Sequence, residues 1–167
     1  MLSFVTPRLW NLAMVVFVAL LLAYALYVQH GMLMQPCPLC ILQRVAFAWM
    51  GAFALLAVLH NPLSGAWRWA YNSLIILGGV AGVFIAGRHL WLQSLPPDKV
   101  PECGPGLNYM LDNFPLAEVW DNILYGSGSC AEIDWQFLGL SMPAWTLLWY
   151  VLLSAGTLYF SRNQQGA

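Results

Sequence analysis

Four long apolar segments constrain the fold of this chain more than any other feature of its sequence. They run from Trp10 to Val28, Ile41 to Leu59, Ala70 to Gly87, and Ala144 to Phe160. Each is close to the ~20 residues that an α-helix needs to cross the hydrocarbon of a bilayer. Charged residues make up 8 % of the chain, whereas soluble domains carry about a quarter. The sequence therefore predicts an all-α membrane protein, with one integral domain over residues 1–167 folded as a bundle of four transmembrane helices.

The charged residues are unevenly distributed around these spans. Arg8, Arg68 and Arg162 lie in the terminal segments and in the loop after the second span, whereas all seven acidic residues follow the third span. Arginine and lysine in short loops favour the cytoplasmic side of a membrane. We therefore expect both termini in the cytoplasm and the loops 29–40 and 88–143 on the outer side.

Two other patterns limit the classes of ligand. The chain has no basic stripe, which argues against a nucleic-acid partner. The glycine-rich run GGVAG, from Gly78 to Gly82, lies inside the third span. It predicts close approach of a neighbouring helix rather than a nucleotide-binding loop.

The four cysteines, Cys37, Cys40, Cys103 and Cys130, all fall in the predicted outer loops. Disulfides persist in oxidising compartments such as the bacterial periplasm and are rare in the cytosol. Charge distribution and cysteine position thus indicate the same orientation independently.

The long outer loop predicts two local structures. Between Pro115 and Tyr125 the apolar residues recur at helical spacing on one face. This favours a short helix on the membrane surface, with packing on the ends of the spans as the alternative. Glycine and serine surround Cys130 and favour a mobile segment, so we expect another protein to reach this cysteine.

The spacing of Cys37 and Cys40 is typical of a redox-active dithiol. Pro38 suits the first turn of a helix, so the second span begins inside this motif. Thiols at a helix N-terminus face the positive end of the helix dipole. Arg44 follows Cys40 by one helical turn, and its charge further favours a Cys40 thiolate.

Arg44 and His89 are the candidate ligand-binding residues. An arginine within a membrane span costs about 3 kcal/mol, and contact with lipid headgroups is one explanation for its presence. His89 ends the third span at the same expected depth. If the second and third spans pack together, a guanidinium and an imidazole beside the dithiol can bind the oxygens of a quinone. A purely structural histidine is the alternative.

Several stretches together resemble the bacterial disulfide bond formation protein B (DsbB) family. They are CPLCILQR, RHLWLQ, the isolated Cys103, and SGSCAEIDWQFLGLSMPAW. The resemblance covers the four-span plan and most of the outer loop. It implies an inner-membrane oxidoreductase that passes electrons to ubiquinone or menaquinone and reoxidises a soluble periplasmic partner of the DsbA type.

The resemblance also implies roles for the four cysteines. Cys37 and Cys40 would form a disulfide beside the quinone, with Cys40 meeting the ring. Cys103 and Cys130 would form the disulfide that oxidises the partner. Cys103 would take the mixed disulfide, and Cys130 would then exchange with the first pair.

Three further positions match the family's site. By the same resemblance Arg44 and His89 contact the quinone, and Met142 lines its pocket. Gln43 stands where relatives can carry glutamate, which leaves the role of that position open.

Three alternatives remain at the level of the sequence. A vitamin K epoxide reductase-like protein usually carries its C-x-x-C in the last span, but this chain has no cysteine there. A zinc site of four cysteines would usually pair two C-x-x-C motifs, whereas Cys103 and Cys130 are far apart in sequence, so we expect no metal. A scaffold with structural disulfides is the third.

Overall fold

The computed structural model describes residues 6–33, 36–61, 65–100, 107–115, 117–118, 130–131 and 136–163. The helices are α1 (Pro7–Gly31), α2 (Pro38–His60), α3 (Gly65–Gln93), α4 (Leu107–Asn113) and α5 (Met142–Asn163), with a 3₁₀ turn at Pro97–Lys99 and short strands β1 (Gln136–Phe137) and β2 (Leu140–Ser141). Four of the helices, α1, α2, α3 and α5, are long and apolar enough to cross a membrane. The predicted fold class, an all-α protein with four spanning helices, is confirmed.

Each spanning helix is longer than the apolar segment that predicted it. The largest difference is in α3, which begins at Gly65 and ends at Gln93 rather than at Ala70 and Gly87. The added turns carry exposed aromatic residues, Trp67 and Trp91 among them. Tryptophan favours the interface between lipid and water. The helix can therefore extend beyond the apolar segment, into turns whose mean hydropathy is lower.

The ends of α1 and α2 follow the capping signals in the sequence. Thr6 caps α1 by accepting a hydrogen bond from the backbone nitrogen of Leu9 at 3.3 Å. Cys37 caps α2, with Pro38 at the first position of the helix. The second span therefore begins inside the C-x-x-C motif, as predicted.

The four spanning helices form a ring of antiparallel neighbours. Helix α2 packs against both α1 and α3, α3 packs against α5, and a smaller contact between α1 and α5 closes the ring. The core between them is apolar; its largest buried members include Met14, Phe47, Met50, Ile75 and Tyr150. This order brings the end of α3 beside the start of α2 and the start of α5.

Glycines on α3 allow this close packing. A Cβ atom on Gly82 would collide with the ring of Tyr150, and one on Gly79 would collide with Oγ of Ser154. Both partners lie on α5, so the glycine run predicted from the sequence is where these two helices approach each other.

The segment between α3 and α5 contains a helix that the sequence did not predict. Helix α4 is short, and its Met110 is buried against Leu92 of α3. Most of the predicted surface helix between Pro115 and Tyr125 lies outside the described residues, although Ala117 and Glu118 are helical.

A tight hairpin precedes α5. Strands β1 and β2 pair antiparallel, and the two turn residues, Leu138 and Gly139, both have positive φ, at 52° and 78°. Two-residue hairpins favour this conformation because its twist matches that of the strands. The indole nitrogen of Trp145 donates to the carbonyl of Phe137 at 3.1 Å, which ties the hairpin to α5.

Candidate functional site

The start of α2 holds Cys37 and Cys40 side by side. Cys37 accepts a hydrogen bond from the backbone nitrogen of Cys40 at 3.3 Å, as a capping residue does. Their sulfur atoms lie 3.0 Å apart. Closure of a disulfide therefore needs only a small movement of the two side chains.

His89 reaches this pair from α3. The ring is 2 % exposed, and its Nε2 lies 3.9 Å from Sγ of Cys37. The packing of α2 against α3 thus brings the histidine and the dithiol together. A buried imidazole next to two sulfurs can donate or accept a hydrogen bond there, depending on its tautomer.

Gln43, whose role the sequence left open, lies in the site. Its side chain is 3 % exposed, and its Nε2 lies 3.3 Å from Nδ1 of His89. Its Oε1 accepts a hydrogen bond from Thr146 at 3.0 Å, and its backbone carbonyl accepts one from the Tyr150 hydroxyl at 2.6 Å. The signals in the sequence were a polar residue within an apolar span and the glutamate that relatives can carry at this position.

Arg44 is half-buried and is held from another side. Its Nη1 donates to Oε1 of Gln29 on α1. Gln29 takes up one of five guanidinium donors, and the residue lies one turn after Cys40 on the same helix. Arg44 therefore brings a permanent positive charge close to the dithiol, and it is anchored on α1, whereas His89 is held by Gln43.

The structure corrects the prediction of an accessible Cys130. This residue is fully buried, in a cluster with Leu39, Leu92 and Met110, against which Cys37 also packs. The backbone of Cys130 forms a hydrogen bond with the His89 ring. A thiol behaves as a small apolar group, so the pocket formed with α4 outweighs the flexibility of the glycine and serine neighbours. The remaining cysteine, Cys103, lies outside the described residues.

Met142 is the first residue of α5 and is half-buried. The residue before it, Ser141, donates to Oε1 of Gln93 at 2.8 Å, which joins the start of α5 to the end of α3. Met142 therefore lies at the same end of the bundle as the cysteines, and its contact with a ligand stays a prediction.

The site combines apolar and polar side chains. Half-buried Leu42 and Ile85 pack beside the cluster that contains Cys130, and the imidazole and the guanidinium supply donors at its edge. Small-molecule sites typically combine apolar walls with a few polar groups in this way.

Cys37, Cys40 and His89 are close enough together to bind one metal ion, as the zinc alternative requires. The two sulfurs of Cys37 and Cys40 and a ring nitrogen of His89 all lie within 4.8 Å of one another. Thiolates and imidazoles bind zinc, so metal analysis of the purified protein tests that alternative directly.

Comparisons with known proteins agree on one family. A family model described as "Disulfide bond formation protein DsbB" matches residues 7–160. The chain is 52 % identical to disulfide bond formation protein B of Acinetobacter baylyi over 79 % of this chain and 77 % of the relative. It is 51 % identical to the protein of that name from Nitrosococcus oceani, over 84 % and 83 %, and 51 % identical to that of Marinobacter nauticus, over 80 % and 79 %.

Proposed function

The chain belongs to the DsbB family of disulfide bond formation proteins, and from that premise we propose that it is a quinone-dependent thiol oxidase of the bacterial inner membrane. Membership makes it a multi-pass membrane protein and a disulfide oxidoreductase. The electron acceptor, the soluble partner and the orientation in the membrane do not follow from family membership and are part of the proposal. The observation that carries them is the dithiol of Cys37 and Cys40, 3.9 Å from a buried imidazole at one end of a four-span bundle.

The proposed reaction moves two electrons from a soluble protein to a lipid-soluble acceptor. A reduced DsbA-type partner gives up two thiol protons and two electrons as its disulfide forms. The disulfide of Cys103 and Cys130 accepts them and becomes two thiols. Cys130 then attacks the disulfide of Cys37 and Cys40, and the exchange restores the outer disulfide while it reduces the inner one.

Burial of Cys130 supports the exchange step. Thiol–disulfide exchange requires the attacking sulfur to reach the disulfide. Cys37 packs against the buried cluster that contains Cys130, so these two cysteines share an apolar environment.

The inner dithiol passes the electrons on. Ubiquinone or menaquinone, when bound, accepts the two electrons and two protons that the dithiol loses as it closes to a disulfide. Cys40 is the sulfur next to the acceptor, since it lies one turn before Arg44. The guanidinium and the His89 ring would bind the oxygens of the acceptor beside Cys40.

We further propose that both termini face the cytoplasm. The arginines of the terminal segments and of the loop after α2 favour that side. The other end of the bundle then faces the periplasm. It contains Cys37 and Cys40, the ends of α1 and α3, and the starts of α2 and α5.

Quinone reduction by a reduced thiol partner tests the proposal. We expect Cys37→Ala and Cys40→Ala each to abolish quinone reduction, because either change removes the inner disulfide. The quinone absorbance should then stay constant. His60→Ala is the matched control: this histidine contacts Tyr71 at the opposite end of the bundle, and turnover should stay at the parent rate. Retained turnover in both cysteine variants would contradict the assigned reaction.

A further inference from the structure

Three groups that bind soft metal ions meet at the start of α2. The sulfur atoms of Cys37 and Cys40 and a ring nitrogen of His89 all lie within 4.8 Å of one another. Thiolate sulfur and imidazole nitrogen are the usual ligands of Zn²⁺ in proteins, whereas Mg²⁺ and Ca²⁺ prefer oxygen. The donor atoms of this cluster therefore favour a thiophilic cation.

The distances in the cluster are close to those of a tetrahedral zinc site. Bonds of about 2.3 Å to sulfur and about 2.0 Å to nitrogen place two sulfurs about 3.8 Å apart, and a sulfur and a nitrogen about 3.5 Å apart. The two sulfurs lie 3.0 Å apart, and Nε2 of His89 lies 3.9 Å from Sγ of Cys37. Movements of about 1 Å in the cysteine side chains therefore bring all three groups to bonding distance of one ion.

Binding of a divalent cation leaves the cluster uncharged. The ion takes the place of the two thiol protons, so that two thiolates, a neutral imidazole and the ion have no net charge. This matters because Cys37 packs against an apolar cluster, where an isolated charge is costly. The guanidinium of Arg44 is held by Gln29, and it meets an ion whose charge is already balanced by the thiolates.

The His89 ring is held in place beside the sulfurs by Gln43 and by the backbone of Cys130. An ion on Nε2 requires the ring proton on Nδ1, which lies 3.3 Å from the Gln43 amide. The amide oxygen accepts from Thr146, so the amide must turn to accept from Nδ1–H when the ion binds. A carboxylate accepts without turning, and an acceptor on the far nitrogen strengthens metal binding by histidine.

We propose that Cys37, Cys40 and His89 form a reversible site for a thiophilic divalent cation of the zinc class, present only while the Cys37–Cys40 pair is reduced. Disulfide formation removes both thiolates and the site with them. The site differs from the four-cysteine zinc alternative because it needs neither Cys103 nor Cys130. A bound ion also occupies the sulfurs that give up electrons and so blocks reoxidation of the pair; this last consequence rests on the function proposed above.

Cobalt binding by the reduced, quinone-free protein tests the site. Tetrahedral thiolate complexes of Co²⁺ have characteristic absorption bands, so this ion reports on zinc sites. We use the full chain without a polyhistidine tag, in detergent, with Cys103→Ser and Cys130→Ser so that only the inner pair can bind. The reduced form should bind one Co²⁺ per chain, displaced by Zn²⁺ and not by Mg²⁺. The disulfide form should show no bands.

Single substitutions in the same background assign the ligands. Cys37→Ser and Cys40→Ser should each abolish the tetrahedral bands, and His89→Ala should weaken binding by more than about tenfold. Gln43→Glu should tighten it by about tenfold. His60→Ala, at the opposite end of the bundle, is the matched control and should bind like the parent. Bands retained in either cysteine variant, or parent-like affinity in His89→Ala, would overturn the proposal.

The parent chain provides a test that needs no substitution. Zn²⁺ should raise the melting temperature of the reduced protein, because the ion binds only the folded site, and should leave that of the disulfide form unchanged. An equal effect of Zn²⁺ on both forms would contradict a site that depends on the reduced pair.

Failure of the thiol oxidase assignment is distinguishable from failure of this site. Reduced protein mixed with ubiquinone in a single turnover should reduce it more slowly when Zn²⁺ is bound, and a chelator should restore the rate. If the proposed function is wrong, ubiquinone stays oxidised with or without Zn²⁺ while the cobalt bands remain. If the metal site is wrong, the bands are missing and Zn²⁺ leaves the rate unchanged.

Discussion

Arg44 illustrates how a charged side chain is accommodated within a membrane helix. Its guanidinium is half-buried and donates to Gln29 on α1. A cation in hydrocarbon is costly, and the hydrogen bond across the helix interface offsets part of that cost. Its remaining donors are available for the oxygens of a ligand beside Cys40. Arg44 therefore combines an anchor on α1 with a permanent positive charge close to the dithiol.

Substitution of Arg44 should weaken quinone binding. We expect Arg44→His to raise the KM for quinone about tenfold, the equivalent of one lost charge-assisted hydrogen bond. Arg44→Lys keeps the charge without the planar donor pair and should fall between that variant and the parent. The measurement is quinone reduction at varied quinone concentration. An unchanged KM in Arg44→His would remove this residue from the site.

Single residues also mark the limit of prediction from the sequence. Cys37, Cys40 and His89 were selected because their residue types and positions in the chain already suggested redox chemistry. Gln43 was named without a role and Thr146 was not selected, because their contact depends on how α2 and α5 are rotated about their axes. Apolar helices without a clear polar face do not reveal that rotation.

At the scale of helices, α3 contributes both to the packing of the bundle and to the candidate site. The same helix presents Gly82 to Tyr150 and, two turns later, His89 to the dithiol. Tyr150 stacks on Phe47 at 4.1 Å between ring centres and donates to the carbonyl of Gln43. The spacing between α3 and α5 therefore sets the position of a residue that holds His89.

A methyl group at Gly82 should disturb both stability and turnover. We expect Gly82→Ala to destabilise the fold by about 1–3 kcal/mol, because the added Cβ meets the ring of Tyr150, and to slow quinone reduction. Gly87→Ala is the matched control on the same helix, since its added Cβ has no neighbour within 4 Å. Thermal unfolding in detergent measures the first effect. Equal melting temperatures for the two variants would contradict the close approach.

Elements differed in how well the sequence revealed them. The spanning helices were evident because about 20 apolar residues have few alternatives to a helix in lipid. Helix α4 was missed because seven residues make only two turns, which are marginal without tertiary contacts. Its Met110 packs in the cluster of Cys130, a contact that nothing local in the sequence indicates.

The whole molecule has two chemically different ends. One carries Cys37, Cys40, Cys130, His89 and Arg44. The other carries a hydrogen bond from Asn72 to Ser161 at 3.0 Å and the contact of His60 with Tyr71 at 2.8 Å. Charge and cysteine position predicted this division from the sequence, because both depend on loop composition rather than on packing.

Surface labelling of single cysteines tests the orientation. In a variant without native cysteines, we expect Leu138→Cys to react with a membrane-impermeant maleimide in spheroplasts. Leu138 is 78 % exposed at the tip of the hairpin. Thr6→Cys, exposed at the opposite end, should react only after the membrane is permeabilised. The reverse pattern would place the dithiol in the cytoplasm.

Burial of Cys130 also protects the proposed electron-transfer route from side reactions with small molecules. Leu39, Leu92 and Met110 cover its sulfur, so small dissolved reductants such as glutathione are kept away from it. In the proposed reaction this enclosure limits the waste of oxidising power on small thiols, because electrons enter from a docked protein donor.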